Sequence, residues 1–172
     1  MADLVLRSDR LLLRPWRVSE AAIQRELWTE RDPRVPARRR IDAEGRPTVA
    51  DFEEGIRAAA PPTSLGLLAV ELAESGEVIG YCGLVEGGPE TDGAPELAYE
   101  LLRRHWGHGY ATEAAEAVLS WARSVGHDRL GATVWDWNTA SLRVLAKLGF
   151  AETSRSEPDP EHGTNITTMR SL

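Results

Sequence analysis

The sequence predicts an α+β fold in one domain over residues 1–172. Three observations carry that reading. Residues 65–71 and 77–84 are β-compatible runs with partly alternating polar and apolar residues, joined by the turn Ser75-Gly76, which describes an antiparallel hairpin. Residues 111–123 instead place Ala114, Ala115, Val118, Leu119 and Trp121 at helical spacing, directly after the apolar, strand-like stretch 95–102. Finally, 172 residues without a visible repeat or second compositional block is a length that buries one core without disulfide or metal staples.

The elements follow in order. Residues 10–16 form a strand, with Leu11, Leu12 and Leu13 between arginines, and residues 19–28 a helix. A loop rich in proline and arginine leads to a helix over 49–59, where Thr48 and Asp51 have the spacing of a capping pair. After the hairpin, residues 86–93 have the glycine, proline and acidic composition of a surface loop. Then come the strand 95–102, a helix over 111–125 ending at Gly126, a strand over 130–135, a helical element over 138–150 and a final strand pair.

Composition sets limits on function. Lys and Arg total 20 against 27 Asp and Glu, a net charge of −7, which disfavours nucleic acid and anionic membrane and leans toward a cationic acceptor. No signal-peptide pattern opens the chain and no apolar run nears the roughly 20 residues that span a bilayer, so a soluble cytoplasmic protein is expected. The single cysteine, Cys82, lies in an apolar strand and reads as a buried, inert thiol. The histidines at 105, 108, 127 and 162 lack metal-ligand spacing, so no metal site is expected. The basic run Arg38, Arg39, Arg40 reads as a solvated loop, with a contact to a phosphate as the alternative, and the acidic segment 156–161 as a solvated loop or a surface for a cationic acceptor.

The most specific chemistry lies at Trp106, Gly107, His108, Gly109, Tyr110, Ala111 and Thr112, where two glycines open a helix directly after a strand. The first amides of a helix have no partners within it, and glycine lets the backbone approach a ligand closely. The partial positive charge of a helix N-terminus then favours a phosphate without any basic side chain. An ordinary tight turn is the competing reading for a lone Gly-x-Gly. The dinucleotide fingerprint requires a third glycine, and a P-loop ends in Gly-Lys-Ser or Gly-Lys-Thr; the chain has neither.

A second element, Asn138 to Phe150, follows the strand over 130–135, and with the glycine turn it resembles the GNAT superfamily of acyl-CoA N-acyltransferases, in particular the ribosomal-protein N-terminal acetyltransferase branch. Further matching segments lie at 10–16, 77–84 and 96–99, so the resemblance covers nearly the whole chain. It implies a mixed, mostly antiparallel central sheet of six to seven strands, about four helices and splayed central strands. The phosphate motif fits in two registers, one starting at Arg104 and one at Trp106; the second keeps the normal strand-to-glycine distance and is preferred. The implied pyrophosphate cradle is then residues 107–112, with His108 inside it, and pantetheine is expected to pair with the backbone of Tyr99, Glu100 and Leu101.

The resemblance implies acetyl-CoA as cofactor, CoA as product, and direct attack by a primary amine. A carboxylate then serves as general base. Glu96 and Glu100 lie two pleats apart on one strand face, with Glu96 favoured and solvated or structural roles as the alternative. Asn138 and Ser141, three residues apart, share one helix face; their bland reading is an N-cap and a helix serine. The resemblance makes Asn138 a pantetheine hydrogen bonder and Ser141 a proton donor to the CoA sulfur, because the tyrosine that many relatives carry is Leu145 here. Trp135 reads as core and Trp137 as a wall of an acceptor pocket. The acceptor is a protein N-terminus or a small-molecule amine, a homodimer is admitted by the family, and the rival reading is a non-catalytic acyl-CoA-binding module that regulates or scaffolds.

Overall fold

The computed structural model describes residues 4–172. A short hairpin of β1 (Leu6–Arg7) and β2 (Leu11–Arg14) leads to α1 (Ala21–Thr29) and α2 (Val49–Ala58). Next come β3 (Gly66–Leu72), β4 (Val78–Val85), β5 (Glu96–Leu101) and α3 (Tyr110–Ser124). The chain finishes with β6 (Arg129–Trp135), α4 (Thr139–Lys147), β7 (Ala151–Glu152), β8 (Glu157–Asp159) and β9 (Gly163–Ser171). The sheet runs in the order β1-β2-β3-β4-β5-β6-β9-β7, with β8 also paired to β9. Among the described residues its nine strands exceed the six to seven expected because β1, β7 and β8 are two- or three-residue pieces, too short to show alternation.

Helix α3 buries Ala114, Ala115, Val118, Leu119 and Trp121, the residues its spacing singled out, against β4 and β5. On the other sheet face, α1 contacts β4 and α2 packs on α1. The cap of α2 is formed as the sequence implied, with Asp51 Oδ2 accepting from the Thr48 amide at 2.6 Å and Thr48 Oγ1 from the Asp51 amide at 3.3 Å. Cys82 is fully buried and burial pushes its thiol far above the ordinary range, which leaves it inert. No helix among the described residues is long and apolar enough to cross a membrane.

One polar cluster is built into this frame. Arg14 of β2 reaches Glu20 at 2.6 Å and Glu71 of β3 at 2.5 Å, and all three side chains are about nine-tenths buried. It ties the turn before α1 to the sheet.

All strand pairs are antiparallel except β5 and β6, and that pair has a single register match, Glu96 with Gly131. The Gly131 amide donates to Pro95 O at 2.9 Å, and beyond it β5 pairs only with β4 and β6 only with β9. A wedge-shaped gap results. Gly131 is required at its closed end, since a Cβ there would lie 2.3 Å from Thr91 Cγ2. Thr91 is fully buried, with its hydroxyl donating to Ala94 O at 2.9 Å. The segment 86–93 therefore departs from a plain surface loop, because one of its residues plugs the apex of the wedge.

Candidate active site

At the mouth of the gap the chain leaves β5 and turns into α3. Gly107 and Gly109 adopt φ of +78° and +81°, backbone that L side chains rarely take, and a Cβ on Gly107 would meet nothing within 4 Å. Among the described residues, the amides of Gly107, His108, Gly109, Tyr110, Ala111 and Thr112 donate to no protein acceptor; the first bond of the helix runs from the Glu113 amide to Gly109 O at 3.1 Å. Six unpaired donors gather at the positive end of a helix.

The arginine of the alternative register points elsewhere. Arg104 pairs with Glu26 at 2.7 Å and Glu77 at 3.2 Å, whereas Trp106 lies at the turn with its indole N–H donating to Leu101 O at 2.7 Å. His108 stacks on Tyr110, ring centroids 5.5 Å apart. A residue that sequence reasoning missed supports the turn: Arg10 donates to His108 O at 3.1 Å, pairs with Glu113 at 2.7 Å and covers the Tyr110 ring at 4.5 Å. Its partners are roughly a hundred positions away, so no local pattern announces it.

Inside the gap, strand alternation decides which backbone groups are open. The Leu102 amide donates to Ile79 O at 2.8 Å, so Ala98, Glu100 and Leu102 turn their backbone groups to β4, and Tyr99 and Leu101 turn theirs to the gap. Of the backbone expected to face pantetheine, Glu100 thus points away, and the Leu101 carbonyl is already used by Trp106. Opposite, Asn138 caps α4 by accepting from the Ser141 amide at 3.2 Å through Oδ1, leaving its NH2 group for another acceptor. Ser141 Oγ lies 2.8 Å from the Tyr99 hydroxyl, which also reaches Ser141 O at 3.2 Å. Burial pushes Tyr99 up to about 12 against the hydrogen bond to Ser141, so it keeps its proton at neutral pH. Leu145 is buried in the core. The Tyr99 hydroxyl was not foreseen, because its partner is 42 positions away.

On the other face, Glu96 accepts from Thr133 Oγ1 at 2.9 Å, which places its carboxylate across the closed end of the gap. Glu100 is held more tightly. Arg31 donates to it from Nε at 2.9 Å and Nη2 at 2.7 Å, and Tyr81 donates at 3.0 Å. Burial, reinforced by the Glu100 charge, raises Tyr81 well above the ordinary phenol range. Arg31 also covers the Trp28 ring at 4.2 Å. Beyond this group lies a half-open cavity of about 570 Å³ between α1, α2, β3 and β4, lined by Trp16, Trp28, Tyr81, Arg31 and Arg39 among others.

The loop after α1 crosses from this cavity to the far arm of the gap. Arg31 Nη1 donates to Arg39 O at 2.9 Å, the Arg34 guanidinium covers Trp137 at 4.3 Å, and His162 Nδ1 lies 2.9 Å from Arg34 O. Trp137 donates to His162 O at 2.8 Å, and Trp135 meets the same ring edge-on. The basic run therefore borders this cavity at Arg39, not the glycine turn.

Residues 10–151 match the family model described as the acetyltransferase (GNAT) domain. The chain belongs to this GNAT acetyltransferase family. The protein named as uncharacterized N-acetyltransferase p20, from Bacillus licheniformis, is 30% identical over 149 residues, 84% of this chain and 81% of p20. Uncharacterized protein YkkB from Bacillus subtilis (strain 168) is 38% identical over 89 residues; that match spans half of this chain and 51% of YkkB. Among solved structures, Mycobacterium smegmatis RimJ in complex with CoA-disulfide has the same fold, with a TM-score of 0.71 at 23% identity over 98% of this chain and 86% of RimJ. Membership brings the acyltransferase class and acetyl-CoA as the cofactor. The GNAT domain fits that cofactor: unpaired amides at the glycine turn suit a pyrophosphate, and the wedge offers one edge of free backbone to an amide-bearing pantetheine.

Proposed function

We propose that this GNAT domain moves the acetyl group of acetyl-CoA directly to a primary amine, of a protein N-terminus or a small molecule, in a ternary complex. One observation carries the reading: the unpaired amides of residues 107–112 open onto a wedge whose two arms carry the Tyr99–Ser141 hydroxyl pair on one face and Glu96 on the other. Bound acetyl-CoA supplies an acyl thioester, whose C–S bond is exchanged for a C–N bond to the amine.

The chain's own groups divide the remaining tasks. Amides of residues 107–112 hold the pyrophosphate, with Trp106 fixing the turn, and the Asn138 NH2 with the Tyr99 backbone holds pantetheine. An amide facing the gap, at Tyr99 or Leu101, donates to the thioester oxygen, a contribution worth about 3 kcal/mol in comparable sites. Glu96, carrying one hydroxyl donor, takes the amine proton directly or through water. Glu100 tethers instead, since protonating it would break its bidentate pair with Arg31. Ser141, whose Oγ shares a 2.8 Å hydrogen bond with the Tyr99 hydroxyl, donates a proton to the departing sulfur.

Calorimetric titration with acetyl-CoA, paired with a thiol-release assay over a panel of amines, tests this. Saturable binding that Gly109→Trp abolishes is expected, with the variant's fold checked by circular dichroism. Undiminished binding in Gly109→Trp contradicts the cradle, and silence of thiol release on every amine assigns the fold to a binding module. Ser141→Ala and Glu96→Gln are each expected to lower kcat by about a hundredfold with little change in acetyl-CoA affinity.

A further inference from the structure

The cavity beside Glu100 has a charge pattern opposite to that of the whole molecule. The chain carries −7, yet the cavity's lining holds two arginines and no carboxylate. Arg31 is neutralised by Glu100, and its side chain is 8% exposed. Arg39 is different: among the described residues its backbone bonds to Pro36 O and Arg31, but its guanidinium makes no hydrogen bond or ion pair, and this exposed residue borders the cavity without an acidic partner. The remaining walls are mainly apolar and aromatic, with Trp16, Leu27, Trp28 and Ile56 from the helical side facing Leu67 and Tyr81 from the sheet.

The cavity is also tied to β5. Tyr81 and Arg31 line it and both hold Glu100 of β5, the strand that edges the wedge. A molecule lying in the cavity meets these groups and Arg39. A volume of about 570 Å³ suits a small organic molecule, within the roughly 300–1,000 Å³ of such sites.

From this arrangement we infer that the acceptor is a primary amine with an apolar body and one anionic group, the amine lying toward Glu96 and Glu100 and the anion paired with Arg39. A free apolar amino acid is the simplest member of that class. The inference rests on the transferase reading above. It disfavours polyamines and other polycations: a second positive charge would have to sit among apolar walls beside an arginine, with no carboxylate to offset its desolvation.

The test is thiol release from acetyl-CoA with leucine and phenylalanine, each as free acid and as amide, alongside spermidine and a basic peptide, in the wild type, Arg39→Ala and Arg39→Lys. The free acids should exceed their amides by about tenfold or more in kcat/KM, the ratio should fall toward one in Arg39→Ala, and Arg39→Lys should retain part of it. Equal use of acid and amide, an acid preference that survives Arg39→Ala, or turnover confined to spermidine or the peptide overturns the inference. Binding of the same acids in the presence of CoA, read by calorimetry and by fluorescence of Trp16 and Trp28, separates the two levels. Arg39-dependent binding without any thiol release overturns the transferase reading but upholds the ligand class, and absence of both overturns the ligand class.

Discussion

Arg104 and Trp106, two positions apart, face different partners: the arginine spans Glu26 and Glu77, and the tryptophan closes on Leu101 O at the turn. Arg104→Ala is therefore expected to leave acetyl-CoA affinity unchanged by calorimetry and to cost at most about 1 kcal/mol of stability, as exposed pairs do. A loss of about tenfold in affinity would return the phosphate motif to the arginine register. Asn138 caps α4 with its oxygen, and its NH2 group is left for the pantetheine contact proposed above. Asn138→Ala should destabilise the protein by about 1 kcal/mol in denaturant titration and raise the KM for acetyl-CoA together with it. At this scale the sequence revealed residue types and spacing, such as the Asn138–Ser141 pair on one helical turn, but not their long-range partners. Arg31 and Glu100 stand 69 positions apart, so the ion pair that holds Glu100 has no local signature.

The elements were legible where periodicity is long. Helix α3 and the β3–β4 hairpin lie within a residue or two of their expected spans, because five apolar positions at helical spacing, or two runs around Ser75-Gly76, leave few alternatives. The wedge itself was not legible from pattern: a single parallel bridge between Glu96 and Gly131 leaves no mark in either strand, and only the family resemblance pointed to it. Two predictions concern how elements are joined. Arg14→Leu strips the closer shared partner from two buried carboxylates, leaving them only the exposed Arg17 at 3.7 and 3.9 Å, and should cost about 3 kcal/mol in chemical denaturation. Glu113 joins α3 to the first hairpin; burial opposes its ionisation, but hydrogen bonds from Ser8 and Arg10 hold its carboxyl below the usual range. A depressed folded pKa stabilises above the unfolded value of about 4.3 and loses that stabilisation as pH falls through the folded value. Glu113→Gln should thus be less stable at pH 7 by about 1–2 kcal/mol, and denaturant midpoints should fall less steeply below about pH 4 than in the wild type.

For the whole molecule, overall and local charge differ. The −7 balance leans toward a cationic acceptor, whereas the cavity presents Arg39, and the acidic residue Glu157 lies with Glu90 and Arg155 around a separate hollow. Location decides which charges a ligand meets. Global architecture and site share one cause, since the strand order that sets β5 beside β6 with only one pairing between them opens the gap beside the turn into α3. Amide-resolved hydrogen exchange by NMR, with and without acetyl-CoA, tests that arrangement most directly. Binding should protect the amides of residues 107–112, together with Tyr99 or Leu101 in the wedge, because these donors lack protein partners in the free chain. Saturable binding that leaves those amides exchanging as before, with protection appearing elsewhere, would contradict it.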